Sequence, residues 1–122
     1  MDLNAMVARL KSHPRAAEMG MMAFHLGIVR AASRDGKNVK ALEVEYDYDI
    51  VANIISNIKE LPGIIEVLVE TREGNLGIGE EILAVAVAGD VREHVFPALE
   101  EAVNRIKAEA SKKKEVIFPW GW

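Results

Sequence analysis

The sequence predicts an α+β fold in the order helix, β-hairpin, helix, β-hairpin, helix, and three observations carry that prediction. Apolar residues recur at helical spacing in three separate stretches. Between them lie runs that alternate or are rich in β-branched residues, and turns bearing Gly, Pro, Asn and Asp divide one kind of segment from the other. The chain has 122 residues and reads as a single domain over 1–122, long enough to bury about two thirds of its unfolded surface without a disulfide or a structural metal.

The first helix opens at Asp2, whose carboxylate suits an N-cap, and sets Leu3, Met6, Val7 and Leu10 on one face before His13 and Pro14 interrupt it. Gly20 to Arg30 is apolar and partly alternating. The turn residues Ser33 to Asn38 follow, and Val39, Leu42, Val44 and Tyr46 resume on a mostly two-residue period, so the two segments read as an antiparallel hairpin. Ile50, Val51, Ile54, Ile55 and Ile58 mark an amphipathic helix over about 48–61, capped by Asp47 or Asp49 and ended by Pro62-Gly63.

Ile64 to Val69 and Ile82 to Ala88 read as strands joined through the turn Gly74 to Gly79, a second hairpin. Both strands are apolar on both parities in places, which puts them between helices or against a second subunit. The last helix, about 91–110, sets Phe96, Leu99, Val103, Ile106 and Ala110 within about 80° of arc. Arg92 and Lys107 fall beside that stripe, as would Lys114 if the helix ran so far. Snorkelling explains one such cation more readily than three. The apolar tail Phe118-Pro119-Trp120-Gly121-Trp122 is expected to pack on its own domain or on a partner subunit.

The formal net charge is −4, but it is unevenly spread. Lys40 to Glu81 holds ten acidic and three basic residues, whereas Arg105, Lys107, Lys112, Lys113 and Lys114 face only Glu109. An anionic ligand is expected at that basic segment; the plainer reading makes the run the solvated end of a helix. The acidic total argues against a general nucleic-acid binder. Absence of cysteine excludes thiol nucleophiles, thiolate metal sites and disulfides. His13, His25 and His94 sit on three elements without metal-ligand spacing, so no metal is expected. Gly77-x-Gly79 precedes a strand rather than a helix, which makes it turn chemistry and not a dinucleotide loop. With no membrane-spanning run and no signal-peptide pattern, a cytoplasmic protein is expected.

Four segments in order resemble the large (catalytic) subunit of molybdopterin synthase. Gly20-Met21-Met22-Ala23-Phe24-His25-Leu26-Gly27-Ile28-Val29-Arg30 is similar to that family's Gly-apolar strand closing in Gly-x-Val-Arg. Ala41-Leu42-Glu43-Val44-Glu45-Tyr46 is similar to its Leu-x-x-Glu-x-Tyr strand, and Gly74 to Ile82 to its Gly-rich turn. Arg92 and Phe96 follow, and Lys107 and Lys114 stand at the spacing of its two active-site lysines. The likeness covers about Gly20 to Val116.

The resemblance implies a hammerhead-like α+β fold and a sulfurtransferase. In the family, a small ubiquitin-like sulfur-carrier subunit inserts its C-terminal Gly-Gly thiocarboxylate into the large subunit. Two sulfur deliveries to cyclic pyranopterin monophosphate then build molybdopterin, on a homodimer flanked by two small subunits and with no cofactor. Carried over, Lys107 is the principal catalytic lysine and Lys114 its assistant. Arg30 and Arg92 hold the phosphate, while Ile28, Val29, Val91, Glu115 and Val116 line the substrate site. Clustered cations suit that chemistry, because a phosphate and a thiocarboxylate must be held together and guanidinium grips phosphate bidentately. Two departures stand out. Val91 occupies the place of a family histidine, and Ser111-Lys112-Lys113-Lys114 replaces Pro-apolar-Trp-Lys. These leave open a non-catalytic homologue serving as a binding or scaffold subunit, and a phosphate-binding domain without a ubiquitin-like partner.

Overall fold

The computed structural model describes residues 1–117, so the Phe118–Trp122 tail lies outside the described residues. Helix α1 (Leu3–Lys11) begins where the Asp2 carboxylate accepts a hydrogen bond from the Ala5 N–H at 3.0 Å. After one 3-10 turn at Ala16–Glu18 comes strand β1 (Met21–Ile28). Strand β2 (Val39–Tyr46) runs into helix α2 (Tyr48–Lys59) through Asp47, which caps the N–H groups of Asp49 and Ile50. Strands β3 (Ile64–Thr71), β4 (Gly74–Gly77) and β5 (Glu81–Gly89) follow. Helix α3 (Arg92–Arg105) then widens into a π turn at Ile106–Ala110 and passes directly into strand β6 (Ser111–Ile117).

These strands form two three-stranded sheets, β1-β5-β3 and β4-β2-β6, and all the pairings are antiparallel. In the first sheet β5 is central and buried from Ile82 to Gly89, because helices cover both faces. Its alternate residues Ala84, Ala86 and Ala88 are small, which lets α1 settle closely with Met6 and Leu10 completely buried. Burial of each of those two side chains contributes about 1.5–3 kcal/mol to holding α1 down. On the opposite face Val85 and Val87 join Ile54 and Ile58 of α2 and Val95, Ala98 and Ala102 of α3 in the main core. The second sheet adds Leu42, Val44, Tyr46 and Leu76 to that core from one side, while Glu43 and Glu45 face outward.

The α+β class stands, and the strands β3 and β5 pair as the sequence predicts and lie between helices. The first predicted hairpin does not form. β1 pairs with β5 and β2 with β4 and β6. The physical reason lies in the pattern of each strand. β1 carries apolar residues on both faces and needs a sheet covered twice, whereas β2 alternates buried and exposed residues and fits a sheet with one solvated face. The Gly74–Gly79 turn is likewise divided, since Gly74–Gly77 forms β4 and crosses to β2.

Two further expectations change. Phe96 lies off the buried face of α3 and is 55% exposed, because that face is centred on Val95, Ala98 and Ala102. The basic run Lys112–Lys114 is strand rather than helix end. It pairs along β2, which places Lys112 opposite Glu45 and Lys114 opposite Glu43. Among the described residues, no helix is long and apolar enough to cross a membrane.

Gly63, in the turn after α2, has φ of 76° and lies against the Asp90 and His94 side chains, which would have to shift to admit a methyl group. Gly63→Ala is expected to lower stability by about 1–3 kcal/mol through the left-handed backbone and the clash. Chemical denaturation followed by circular dichroism measures it.

Candidate active site

A cleft of about 690 Å³ opens where the end of β1, the connection 29–38, β2, the π turn and β6 meet. Its floor is apolar, made of Val29, Val39, Leu42, Ile82 and Leu83, and its walls carry Arg30, Arg34, Lys107 and Lys113. The connection is held in place by backbone bonds at both ends. Val29 N–H donates to Glu80 O at 2.9 Å, Gly79 N–H to Val29 O at 2.8 Å, and Val39 N–H to Ala31 O at 2.8 Å. Its tip turns at Gly36, φ 86°, where the Lys37 N–H donates to Ser33 Oγ at 3.0 Å. Arg30 and Arg34 are thereby presented from a pinned loop.

The opposite wall is set by strand register. In an antiparallel ladder residues directly opposite share a face, and successive residues alternate. Val44 points into the core and is paired with Lys113; Leu42 points inward and is paired with Glu115. Lys113 and Glu115 therefore face the cleft, whereas Lys112, Lys114 and Val116 face outward beside Glu45, Glu43 and Ala41. Lys107 approaches from the π turn, whose following Ser111 hydroxyl donates back to the Lys107 carbonyl at 3.0 Å.

Electrostatics single out the same residues. The ion pairs among the described residues engage none of Arg30, Arg34, Lys107 or Lys113. Lys113 is accessible in the open cleft. Even so, partial burial first, and the charges of Lys107 and Arg34 second, hold its ammonium below the ordinary lysine range. Four cations sharing one concavity, with Asp35 and Glu115 as the acidic residues lining it, make a site for an anion. By contrast Tyr46, buried beneath and donating to Ile82 O at 3.3 Å, is pushed up to about 12 by burial, with Tyr48 and Glu73 adding to it. It is a structural anchor rather than a proton donor at neutral pH.

Of the residues singled out from the sequence, the cleft gathers Ile28, Val29, Arg30, Lys107 and Glu115. It does not gather Lys114 or Val116, which lie on the other face of β6. Val91 and Arg92 sit at the opposite end of α3, and Arg92 is exposed and paired with Glu93 at 3.1 Å. Fifteen residues of helix separate Arg92 from Lys107, about 22 Å at 1.5 Å per residue. Sequence reasoning missed Lys113 and Arg34. The first was discoverable, because reading Lys112–Lys114 as a strand sends only the middle lysine inward. Arg34 lies in a turn, where no periodicity marks it.

His25 adds a half-buried group behind the cleft, its Nε2 shielded from water. Desolvation above all, then the charges of Lys107 and Lys113, hold its imidazole below the ordinary value of 6.5. The unfolded chain takes up that proton as pH falls past 6.5 while the folded chain does not. Above that pH the lowered value makes stability no more pH-dependent, and stability is lost as pH falls through it. The melting temperature of His25→Phe should fall less than that of the native chain between about pH 7 and pH 5. Equal falls would contradict this.

An α+β domain with a cation-lined cleft at one end of a helix-covered sheet, its cations outside the ion pairs among the described residues, is the class that this fold and cleft define. Comparison with known proteins gives the family. The model of the MoaE protein family matches residues 1–109. The chain is 32% identical over 127 residues to the molybdopterin synthase catalytic subunit of Ralstonia nicotianae, covering 99% of this chain and 70% of that protein. Its structure is similar to that of the molybdopterin biosynthesis MoaE protein of Burkholderia ambifaria, with a TM-score of 0.77, 31% identity and coverage of 99% and 80%. It is also similar to molybdopterin synthase from Staphylococcus aureus, with a TM-score of 0.73, 28% identity and coverage of 84% and 77%. The chain belongs to the MoaE protein family.

Proposed function

We infer that this chain is the large, catalytic subunit of a molybdopterin synthase, acting in molybdenum- or tungsten-cofactor biosynthesis. The observation that carries this reading is the convergence of Arg30, Arg34, Lys107 and Lys113 on one apolar-floored cleft. A partner chain must supply the sulfur, because this chain has no cysteine to carry it. A small ubiquitin-like subunit would lay its C-terminal Gly-Gly thiocarboxylate in the cleft beside cyclic pyranopterin monophosphate. Its sulfur bonds to a side-chain carbon of the pterin as that carbon loses oxygen, water cleaves the acyl–sulfur bond so that the carrier leaves as a carboxylate, and a second carrier repeats the exchange to complete the dithiolene. The compartment that fits is the cytoplasm.

Each residue has a task in this scheme. Arg30 and Arg34 offset the phosphate charge, and their planar forks can hold two oxygens at once. Lys107 lies nearest the acyl group as the principal catalytic lysine. Lys113, whose proton is already loosened by burial and by neighbouring cations, is the better placed of the strand lysines to give or take a proton. We assign to it the assisting role that the sequence resemblance placed on Lys114. This also removes a reason for preferring a scaffold: the altered Lys112–Lys114 segment still delivers a lysine to the cleft.

Reconstitution with the thiocarboxylated carrier and the precursor tests the assignment. Lys107→Ala should remove dithiolene formation, and Lys113→Ala should lower kcat/KM by about 100-fold or more. Lys114→Ala should stay within about threefold. Full activity of Lys107→Ala, or a larger loss at Lys114 than at Lys113, would overturn it.

Arg92 enters through a second copy. At about 22 Å from Lys107 it cannot reach the same substrate within one chain. A homodimer that brings the start of one α3 to the partner's cleft would let Val91 and Arg92 complete the site. Mixing inactive Lys107→Ala with inactive Arg92→Ala should then restore part of the activity, because one of the two clefts in a mixed dimer has both residues intact. No recovery on mixing would place Arg92 outside the site.

A further inference from the structure

One shielded polar side-chain atom, on a half-buried residue beside the main core, has no partner among the described residues. His25 Nε2 is fully shielded from water and has no hydrogen-bond partner among the described residues. Such an orphan costs about 1–3 kcal/mol where nothing compensates it. His25 lies in the middle of β1, opposite Val85 of β5, on the face that Ala23 and Val29 give to the core. An apolar side chain would meet every packing need of that position.

The cleft gives the imidazole a use. Gly27 lies two residues on, shares the face of His25 and lines the cleft. A Cβ built at Gly27 would stand 3.3 Å from His25 Nε2, so only a glycine separates that nitrogen from the cleft wall. The charged groups whose field reaches the ring are Lys107 from the π turn and Lys113 from β6, and Lys107 has the larger effect. On β5 the strand partner of His25 is apolar Val85, with Leu83 and Val87 on the same face to either side.

An ammonium has three donors and no acceptor. An imidazole nitrogen that meets an ammonium can therefore serve only as an acceptor, and such a meeting would put the ring proton on Nδ1. We propose that His25 is a positioning residue for Lys107: its bare Nε2 accepts a hydrogen bond from the Lys107 ammonium as that side chain folds over Gly27. The contact transfers no proton. It fixes one N–H of Lys107 and aims the remaining two into the cleft. Protonated His25 would present an N–H to a cation, so the contact is lost on acidification. Only the kinetic arm of its test rests on the sulfur-transfer reading.

Two measurements decide it. In the chain alone, long-range ¹H–¹⁵N spectra at neutral pH should show the Nδ1–H tautomer of His25, and Lys107→Met should displace the Nε2 resonance. An Nε2–H tautomer, or a resonance indifferent to Lys107→Met, overturns the proposal whatever reaction the chain catalyses. In single-turnover sulfur transfer, His25→Phe should slow the rate constant about tenfold and alter the acid limb of its pH profile, with carrier affinity unchanged. His25→Gln, which keeps an acceptor, should recover most of the rate. A His25→Phe chain with the native rate and pH profile would also overturn it. Failure of the native chain to make product at all would instead sink the sulfur-transfer reading and leave the spectra to judge His25.

Discussion

The site depends on the register of β6 against β2. Side chains alternate along a strand, so the pairing of Val44 with Lys113 determines which lysines enter the cleft and which remain on the outer face. A slip of one residue would exchange Lys113 for Lys112 or Lys114 and turn Glu115 outward. The register is held from both sides. Inward, Leu42, Val44 and Tyr46 are buried in the main core. Outward, Glu43 and Glu45 stand opposite Lys114 and Lys112, a cross-strand match of charges that a one-residue slip would break.

The same arrangement explains the uneven charge. Much of the acidic middle of the chain fastens elements together. Glu66 meets Lys59 at 3.2 Å and His13 at 3.5 Å, linking β3 to α2 and to the segment after α1. Glu73 accepts from the Tyr48 hydroxyl at 2.7 Å and from the Tyr46 N–H at 2.9 Å, tying the β3–β4 connection to the start of α2. The cations of the cleft are left without such partners among the described residues. They remain available to an anionic ligand, and the net charge of −4 conceals them.

The sequence made the elements legible wherever a single period governed them. The caps at Asp2 and Asp47, the stop at Pro62-Gly63 and the doubly covered β5 could all be read from residues alone. Strand partners could not. β1 and β2 lie close in sequence with turn residues between them, and local chemistry favours a hairpin. Which sheet each joins depends on how many of its faces are covered, and that is a tertiary property. Within the site, Arg30 and Lys107 were legible through a family likeness, whereas Lys113 and Lys114 were confused because a seven-residue spacing is natural on a helix and misleading across a π turn and a strand. Arg34 had no periodic signal at all. His25 was visible as a histidine in an apolar strand, but its orphaned nitrogen belongs to the packed molecule.

The central claim is that Lys107 and Lys113, and not Lys114, share the anion-binding cleft. Lysine footprinting with a small acylating reagent, read by peptide mass spectrometry with and without saturating inorganic phosphate, tests it most directly. Phosphate should protect Lys107 and Lys113 together and leave Lys112 and Lys114 reactive. Protection of Lys114 with Lys113 unaffected would contradict it.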